Sequence, residues 1–366
     1  MRFPEFTEEW ELHRTTDYFE FKNGLNPEAK RFGHGTKFIS VMDILNNRYI
    51  TYDKVISSVQ LKENELNEFG VNYGDILFQR SSETLEDVGR ANVYLDNTTA
   101  VFGGFVIRGK KIGNYNPLFF RYLLSSPNAR KSIIVKGAGA QHFNISQDGL
   151  SKVLLNVPSI QEQEKISQLI NYIDERIETQ NKIIEQLQSL IKGIVVSITA
   201  ETPNTRIDKC LVCHSTTLQE NQIEDFGDFP VYGANGICGY TVNADFNEPA
   251  ILIVKDGSGV GNVRFVNGKY SVIGTQNILT PQNKFCLKYI FYCLQTFNFM
   301  PYKTGMAIPH IYFKDYGKAK IYCPNFEQQV KIASQIDLIE SKIEIETQLL
   351  NKYEEQKKFL LSNMFI

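Results

Sequence analysis

The sequence predicts an α+β molecule built as an internal repeat. Two mixed α/β domains are separated by two long helices that form an antiparallel coiled coil, with pseudo-two-fold symmetry. Three observations carry this reading. Displaced by 166 positions, the chain aligns with itself: Gly139, Ile145, Lys152, Pro158, Gln163, Lys165, Ile166, Ile170, Ile173 and Ile177 fall on Gly305, Ile311, Lys318, Pro324, Gln329, Lys331, Ile332, Ile336, Ile339 and Ile343. Ten identities in 39 pairs exceed the about two or three expected by chance, and the period is too long for a solenoid, so duplication accounts for them. Two heptad-spaced apolar stripes repeat with the same period, and an acid-free basic stretch precedes each.

The 366 residues, 42% hydrophobic and 12% aromatic, suffice for two ordinary cores. The formal net charge of −2 says nothing for or against a polyanion. The chain opens on Met1-Arg-Phe-Pro-Glu-Phe6 with no apolar signal core, and no apolar run reaches the roughly 18 residues of a membrane span. The expectation is a cytoplasmic protein without membrane contact. All six cysteines lie between Cys210 and Cys323, and they read as reduced thiols, not as a disulfide framework.

The first domain is expected over residues 1–158. Gly74–Phe78 and Ala100–Phe102 read as strands, and Asn116 followed by Pro117 is an N-cap and first-turn pair for a helix to Leu124. The first rod, 159–200, carries Ile166, Ile170, Ile173, Ile177, Gln180, Ile184, Leu187, Ile191 and Ile194 at alternating spacings of four and three. An acid/Gln cluster after Pro158 suits a helix N-terminus, and about 34 residues at ~1.5 Å each give a rod of roughly 50 Å.

The second domain, 201–323, follows the breaker Glu201-Thr-Pro-Asn204. Ala250–Val254 and Asn262–Val266 read as strands around a turn at Asp256–Gly259, with a helix over Leu287–Leu294. The second rod, 324–366, repeats the seam with Ile332, Ile336, Ile339, Ile343, Glu346, Leu350, Tyr353, Lys357 and Leu360. Stripes this long exceed what either domain's core needs, so the rods are expected to pair with each other. Gln180 and Glu346, at equivalent positions, would cost stability and fix register. Returning the chain through a domain makes antiparallel pairing the simplest closure, and the pair then serves as a ruler.

Between Asp96 and Asp148 there is no acid among Arg108, Lys110, Lys111, Arg121, Arg130, Lys131 and Lys136. Between Asp256 and Asp315 there is none among Arg264, Lys269, Lys284, Lys288, Lys303 and Lys314. Two basic faces and a polyanion partner are therefore expected. Each stretch ends in a glycine-containing loop, Lys136–Asn144 or Tyr302–His310. Glycine lets backbone approach phosphate, while Gln141, Asn144 and His310 suit base edges; an ordinary polar turn is the alternative. Gln79-Arg80-Ser81-Ser82 and its counterpart Lys255-Asp-Gly-Ser258 form a second pair. The candidate DNA contacts are Arg80, Ser81, Ser82, Arg130, Lys131, Lys136, Gln141 and Asn144 in the first domain. Those of the second are Lys255, Ser258, Lys303, Thr304, His310 and Lys314.

Catalytic patterns are not found. There is no phosphate loop with Lys-Ser/Thr and no Asp/Asn-Pro-Pro-Tyr run, and the five histidines are too scattered for a triad. Cys210-Leu-Val-Cys213-His214 has the spacing of a c-type haem attachment, but nothing suggests export. Zinc would need further ligands such as Cys238 and His310. Two thiols on one strand are the simpler reading, so no catalytic residue or metal is expected.

The order domain, coil, domain, coil comes with specific runs: Arg2-Phe-Pro-Glu-Phe-Thr-Glu-Glu-Trp10, Gly74–Thr84, Ile253–Gly259 and Gln356–Ile366. The coil entries are Val157-Pro-Ser-Ile-Gln-Glu-Gln163 and Cys323-Pro-Asn-Phe-Glu-Gln-Gln329. Together they resemble the specificity subunit of Type I restriction–modification systems. The resemblance implies two target-recognition domains, each reading a half-site of double-stranded DNA in the major groove, and conserved coils that set the gap. It implies no catalysis and no cofactor in this chain. Two modification subunits would methylate adenine with S-adenosylmethionine, and restriction subunits would translocate and cut with ATP and Mg. The Gln- and Glu-rich outer faces of the rods would dock the modification subunits. The alternative is a non-catalytic coiled-coil adaptor joining proteins without DNA. The second domain is shorter, about 120 residues against 158, so the footprints are expected to differ.

Overall fold

A computed structural model describes residues 1–366 except Ala140, Gln141, Glu224, Asp225, Asn283, Met306, Ala307 and Ile366. It divides into two units, Met1–Asn181 with Gln348–Ile366, and Lys182–Thr347.

The first unit centres on a four-stranded antiparallel sheet of β1 (Phe19–Asn23), β2 (Ile76–Gln79), β3 (Ala91–Val93) and β4 (Val106–Lys111), in the order β1-β4-β2-β3. Side chains alternate across a strand, and both faces of β2 are covered. Ile76 and Phe78 join the core of Phe119 and Phe120, while Leu77 joins Ile39, Tyr94 and Phe102. Double burial explains why β2 reads as an unbroken apolar run. Helix α1 (Pro117–Ser125) starts as the sequence predicts, Asn116 Oδ1 accepting from the Phe119 N–H at 3.0 Å with Pro117 in the first turn. Helix α2 (Pro127–Ile134) follows.

The second unit repeats this topology. β5 (Leu211–His214), β6 (Ala250–Val254), β7 (Val263–Val266) and β8 (Gln276–Pro281) lie antiparallel in the order β5-β8-β6-β7, followed by α4 (Leu287–Gln295), once the long helix α3 (Ile160–Thr199) has ended. A two-stranded antiparallel ribbon closes each domain: Glu11–Arg14 with Leu154–Val157, and Thr205–Arg206 with Lys320–Ile321. The duplication is plainer in topology than in sequence.

Helix α3 has 40 residues and α5 (Phe326–Asn363) has 38, longer than the expected 34, or about 60 Å at 1.5 Å per residue. Every seam position of both helices is buried or half-buried, including Gln180 and Glu346. Glu346 pairs with Lys342 one turn earlier. In the first unit Ile166, Ile170 and Ile173 share a core with Leu360, Met364 and Phe365. In the second, Val195 and Ile198 share one with Ala333 and Ile336. Within each unit the start of one helix thus meets the end of the other, which is antiparallel pairing.

Each domain is fastened to its helix by the same bonds. Gln163 Oε1 accepts from the Asn116 N–H at 2.9 Å and its Nε2 donates to the Pro158 carbonyl at 2.9 Å; Gln329 makes the equivalent bonds to Cys286 at 3.0 Å and Pro324 at 2.8 Å. The Tyr122 hydroxyl donates to Asp174 at 2.7 Å, and that of Tyr292 lies 2.8 Å from Glu340. At the chain's start, Arg2 donates twice to the buried Glu162 at 2.7 Å.

Gln163→Ala leaves the Asn116 N–H and the Pro158 carbonyl without these partners. The expected loss is about 1–3 kcal/mol. Urea denaturation followed by Trp10 fluorescence reads it in the first unit, since Trp10 is the only tryptophan and packs on Phe119 and Phe365. An unmoved midpoint would remove the glutamine's stabilising role.

Candidate nucleic-acid interface

In the first unit the chain leaving β2 meets the glycine-containing loop. The Arg80 N–H donates to the Phe105 carbonyl and the Arg80 carbonyl accepts from Ile145, both at 2.9 Å. Ser81–Ser82 then pair antiparallel with Phe143–Asn144, and Ser81 Oγ donates to Asn144 Oδ1. Ala138 and Asn144 exchange backbone hydrogen bonds of 2.9 and 2.8 Å. The two candidate segments of this domain are therefore one edge.

The second unit builds the same edge. The Lys255 carbonyl accepts from Ile311 at 2.9 Å, and Gly257 donates to the Pro309 carbonyl at 3.1 Å. Thr304 and His310 exchange backbone hydrogen bonds of 2.9 and 2.8 Å, and His310 Nδ1 lies 2.6 Å from Asp256 Oδ1. The pairs 138:144 and 304:310 are related by the repeat period. Gly139 (φ 143°) and Gly305 (φ 87°) turn both loops. A Cβ there would stand 2.0 Å from the His142 carbonyl oxygen or 2.3 Å from that of Ile308, so only glycine fits.

Around these edges Lys131, Lys136, Asn144, Ser258, Thr304 and Lys314 are exposed, and Arg80, Ser81, Ser82, Lys255, Lys303 and His310 are half-buried. Gln141 lies outside the described residues. Arg130 is turned inward, donating to the carbonyls of Glu86, Val88 and Gly89 at 2.8, 2.6 and 2.9 Å. Burial, then the nearby Arg90 charge, pulls it down to about 10, which leaves it cationic while it shapes the 86–89 turn.

The basic faces are narrower than the sequence predicts. Arg108 is 6% exposed and donates to the Gly70 carbonyl. Lys111 donates to the Tyr115 carbonyl at 3.0 Å, Arg121 is half-buried 4.0 Å from Asp174, and Lys288 pairs with Asp337 at 3.0 Å. Acids from outside each acid-free stretch fold against its cations, and a gap in sequence is not a gap in space. The outer helix faces carry the exposed Gln and Glu expected, among them Glu164, Glu175, Gln188, Glu344 and Glu354, with Tyr172, Leu338, Ile345 and Phe359 exposed among them. Cys210 and Cys213 do not share a strand. Cys210 ends the short helix Ile207–Cys210, its Sγ 3.8 Å from that of Cys323, while Cys213 lies on β5, where burial raises its thiol to about 11. Among the described residues no group of three or more His, Cys, Asp or Glu is placed to hold a metal, and no helix is long and apolar enough to cross a membrane.

Two residues at the edges escaped the sequence reading. Phe105, 69% exposed, stands beside Arg80; an aromatic after Gly103-Gly104 was the available signal. Asp256, read as a turn residue and as the boundary of a charge gap but not as a site residue, holds His310.

Two copies of one strand-and-turn edge, each carried on a sheet fastened to a long helix, define a duplicated recognition protein. Residues 7–189 and 211–355 match the Type I restriction modification DNA specificity domain, and the chain belongs to that family. It is 22% identical to a protein of Methanocaldococcus jannaschii assigned as the type I restriction enzyme MjaX specificity subunit, covering 98% of this chain and 93% of that one. It is 26% identical to the type I restriction enzyme EcoKI specificity subunit of Escherichia coli K12, over 48% of this chain and 39% of that one. The crystal structure of a Type-I restriction-modification system S subunit from M. genitalium superposes with a TM-score of 0.63 at 16% identity, covering 98% of this chain and 96% of that one.

Gly305→Ala should release the loop while sparing the core. Hydrogen exchange is expected to speed up at the Thr304 and His310 amides and to stay slow in β6 and β8. Retained protection at both amides would mean that the turn tolerates a side chain.

Proposed function

We propose that the chain is the non-catalytic, sequence-reading subunit of a Type I restriction–modification complex in the cytoplasm. It reads a bipartite DNA target with one domain per half-site. The observation that carries this is the paired edge, built from the same hydrogen bonds in both units of a family member. In this reading residues 1–158 and 201–323 are the target-recognition domains, and 159–200 and 324–366 are the conserved coils. Arg80 pairs with guanine in the major groove, Asn144 and His310 face base edges, and Ser81, Ser82, Ser258 and Thr304 contact backbone or bases. Lys131, Lys136, Lys255, Lys303 and Lys314 neutralise phosphates, so binding weakens steeply with salt. Arg130 acts by holding the 86–89 turn. The seam helices set the gap and, with their exposed apolar residues, dock two modification subunits. S-adenosylmethionine, ATP and Mg belong to the modification and restriction partners.

The test is to reconstitute the chain with its modification subunits and map methylated adenines on genomic DNA. Arg80→Ala should relax one half-site only, by about 1–3 kcal/mol of discrimination for a lost bidentate pair. Uniform loss over all sequences would remove its base-reading role, and an unmodified chain indifferent to base order would favour an adaptor. Inserting one heptad into both α3 and α5 adds about 10 Å. The permitted gap should lengthen by roughly three base pairs, at 3.4 Å each. Unchanged spacing would refute the ruler.

A further inference from the structure

The correction at Arg121 points to a second site. In the first unit a cavity of about 390 Å³ opens between the short helix Val41–Asn46, β3, α1 and α2, its walls including Arg90, Arg121, Arg130, Leu45, Leu124 and Ile134. Arg121 is only 14% exposed. Its Nε is shut off from solvent without a partner, and its guanidinium makes no hydrogen bond to any described residue. The nearest carboxylate, Asp174, is 4.0 Å away and is already held by Tyr122 at 2.7 Å and Lys357 at 2.6 Å. Burial pulls Arg121 below the ordinary guanidinium value; Tyr122 and Asp174 oppose that shift, and the neighbouring Arg48 charge adds to it. On the opposite wall Arg90 presses on Arg130 in the same way, although Arg90 has Asp87 at 2.6 Å, and Glu86 also lines the cavity.

Buried charges in folded proteins are paired and hydrogen-bonded, because desolvating a lone one is too costly. Arg121 has the 4.0 Å approach to Asp174 and the Tyr122 ring 5.1 Å away, but no hydrogen bond among the described residues, and it faces a cavity that other cations share. We propose that the cavity is an anion site for a small phosphate-bearing molecule of mononucleotide size. The phosphoryl oxygens accept from Arg121, whose planar fork suits them. The Leu45, Leu124 and Ile134 walls hold the organic part. The volume falls within the ~300–1,000 Å³ of ligand pockets, more than a bare phosphate fills. Duplex backbone would instead meet exposed lysines such as Lys131 and Lys136. Because Asp174 also fastens α1 to α3 through Tyr122, an occupant would stiffen that junction. None of this depends on how the edges read DNA.

The probe is adenosine monophosphate, with inorganic phosphate alongside, titrated into the purified full chain while Trp10 fluorescence follows thermal unfolding. The first-unit midpoint should rise saturably with adenosine monophosphate and less with phosphate. Arg121→Met should weaken the apparent Kd by at least about tenfold. If Arg121→Met fails to fold, Ile134→Phe, which narrows the cavity, keeps Arg121 and leaves Trp10 the sole tryptophan, should weaken or abolish the response. The proposal is overturned by no saturable shift in the unmodified chain, or by an undiminished one in folded Arg121→Met. It is equally overturned if Arg121→Met leaves the midpoint response unchanged but weakens duplex binding uniformly and lowers the salt slope by about one, which would make the cavity a clamp for DNA backbone.

Discussion

A polar side chain that leaves water at the start of a helix must find partners for both its donor and its acceptor, or it destabilises what it touches. Gln163 and Gln329 meet that constraint identically. Each spans from the carbonyl of the proline that ends its domain to the N-cap N–H of the helix that follows the sheet, α1 or α4. The bond fixes where a recognition sheet stands on its long helix, and the tyrosines lying on Asp174 and Glu340 fix it a second time, about three turns further along. Without this junction the sheet would hang from a hinge. With it, the position of each strand-and-turn edge is dictated by the helix that carries its sheet.

The edge inherits its precision from that chain of supports. β2 and β6 are buried on both faces, so their ends cannot drift, and the residues just beyond them, Arg80 and Lys255, are gripped through their carbonyls by Ile145 and Ile311. Ile145 and Ile311 are themselves wholly buried, which anchors the turning loop from behind. Polar groups intended for a ligand stay half-exposed while the backbone beneath them is saturated with hydrogen bonds. Such an arrangement suits recognition, where side chains held on rigid elements lose little freedom on binding.

Much of this was legible in the sequence because it is local. The heptad seam, the Asn116-Pro117 start and the strand Ala250–Val254 each depend on spacing over one element, and the structure reproduces them. What was illegible depends on residues distant in the chain. Arg80–Ser82 and Phe143–Asn144 were separate candidates, and only sheet pairing joins them. Arg108, Arg121 and Arg130 counted toward a basic face until folding turned them toward carbonyls or carboxylates contributed by other segments. Charge gaps describe a line, and solvation is decided in three dimensions.

Duplication with divergence has a further consequence at the edges. Asn144 and His310 occupy the same place in the same turn, and Arg80 and Lys255 accept the same backbone bond, yet the members of each pair are not interchangeable. Arginine offers a planar fork that can match one base edge in two bonds, while lysine is a compact charge that cannot. Asn144 presents an amide steadied by Ser81, whereas His310 presents a ring whose Nδ1 is committed to Asp256. In the function proposed above, a common scaffold holding unlike side chains at equivalent points would read unlike sequences. The two halves of a target recognised by this chain should therefore differ, even though the architecture that reads them is the same.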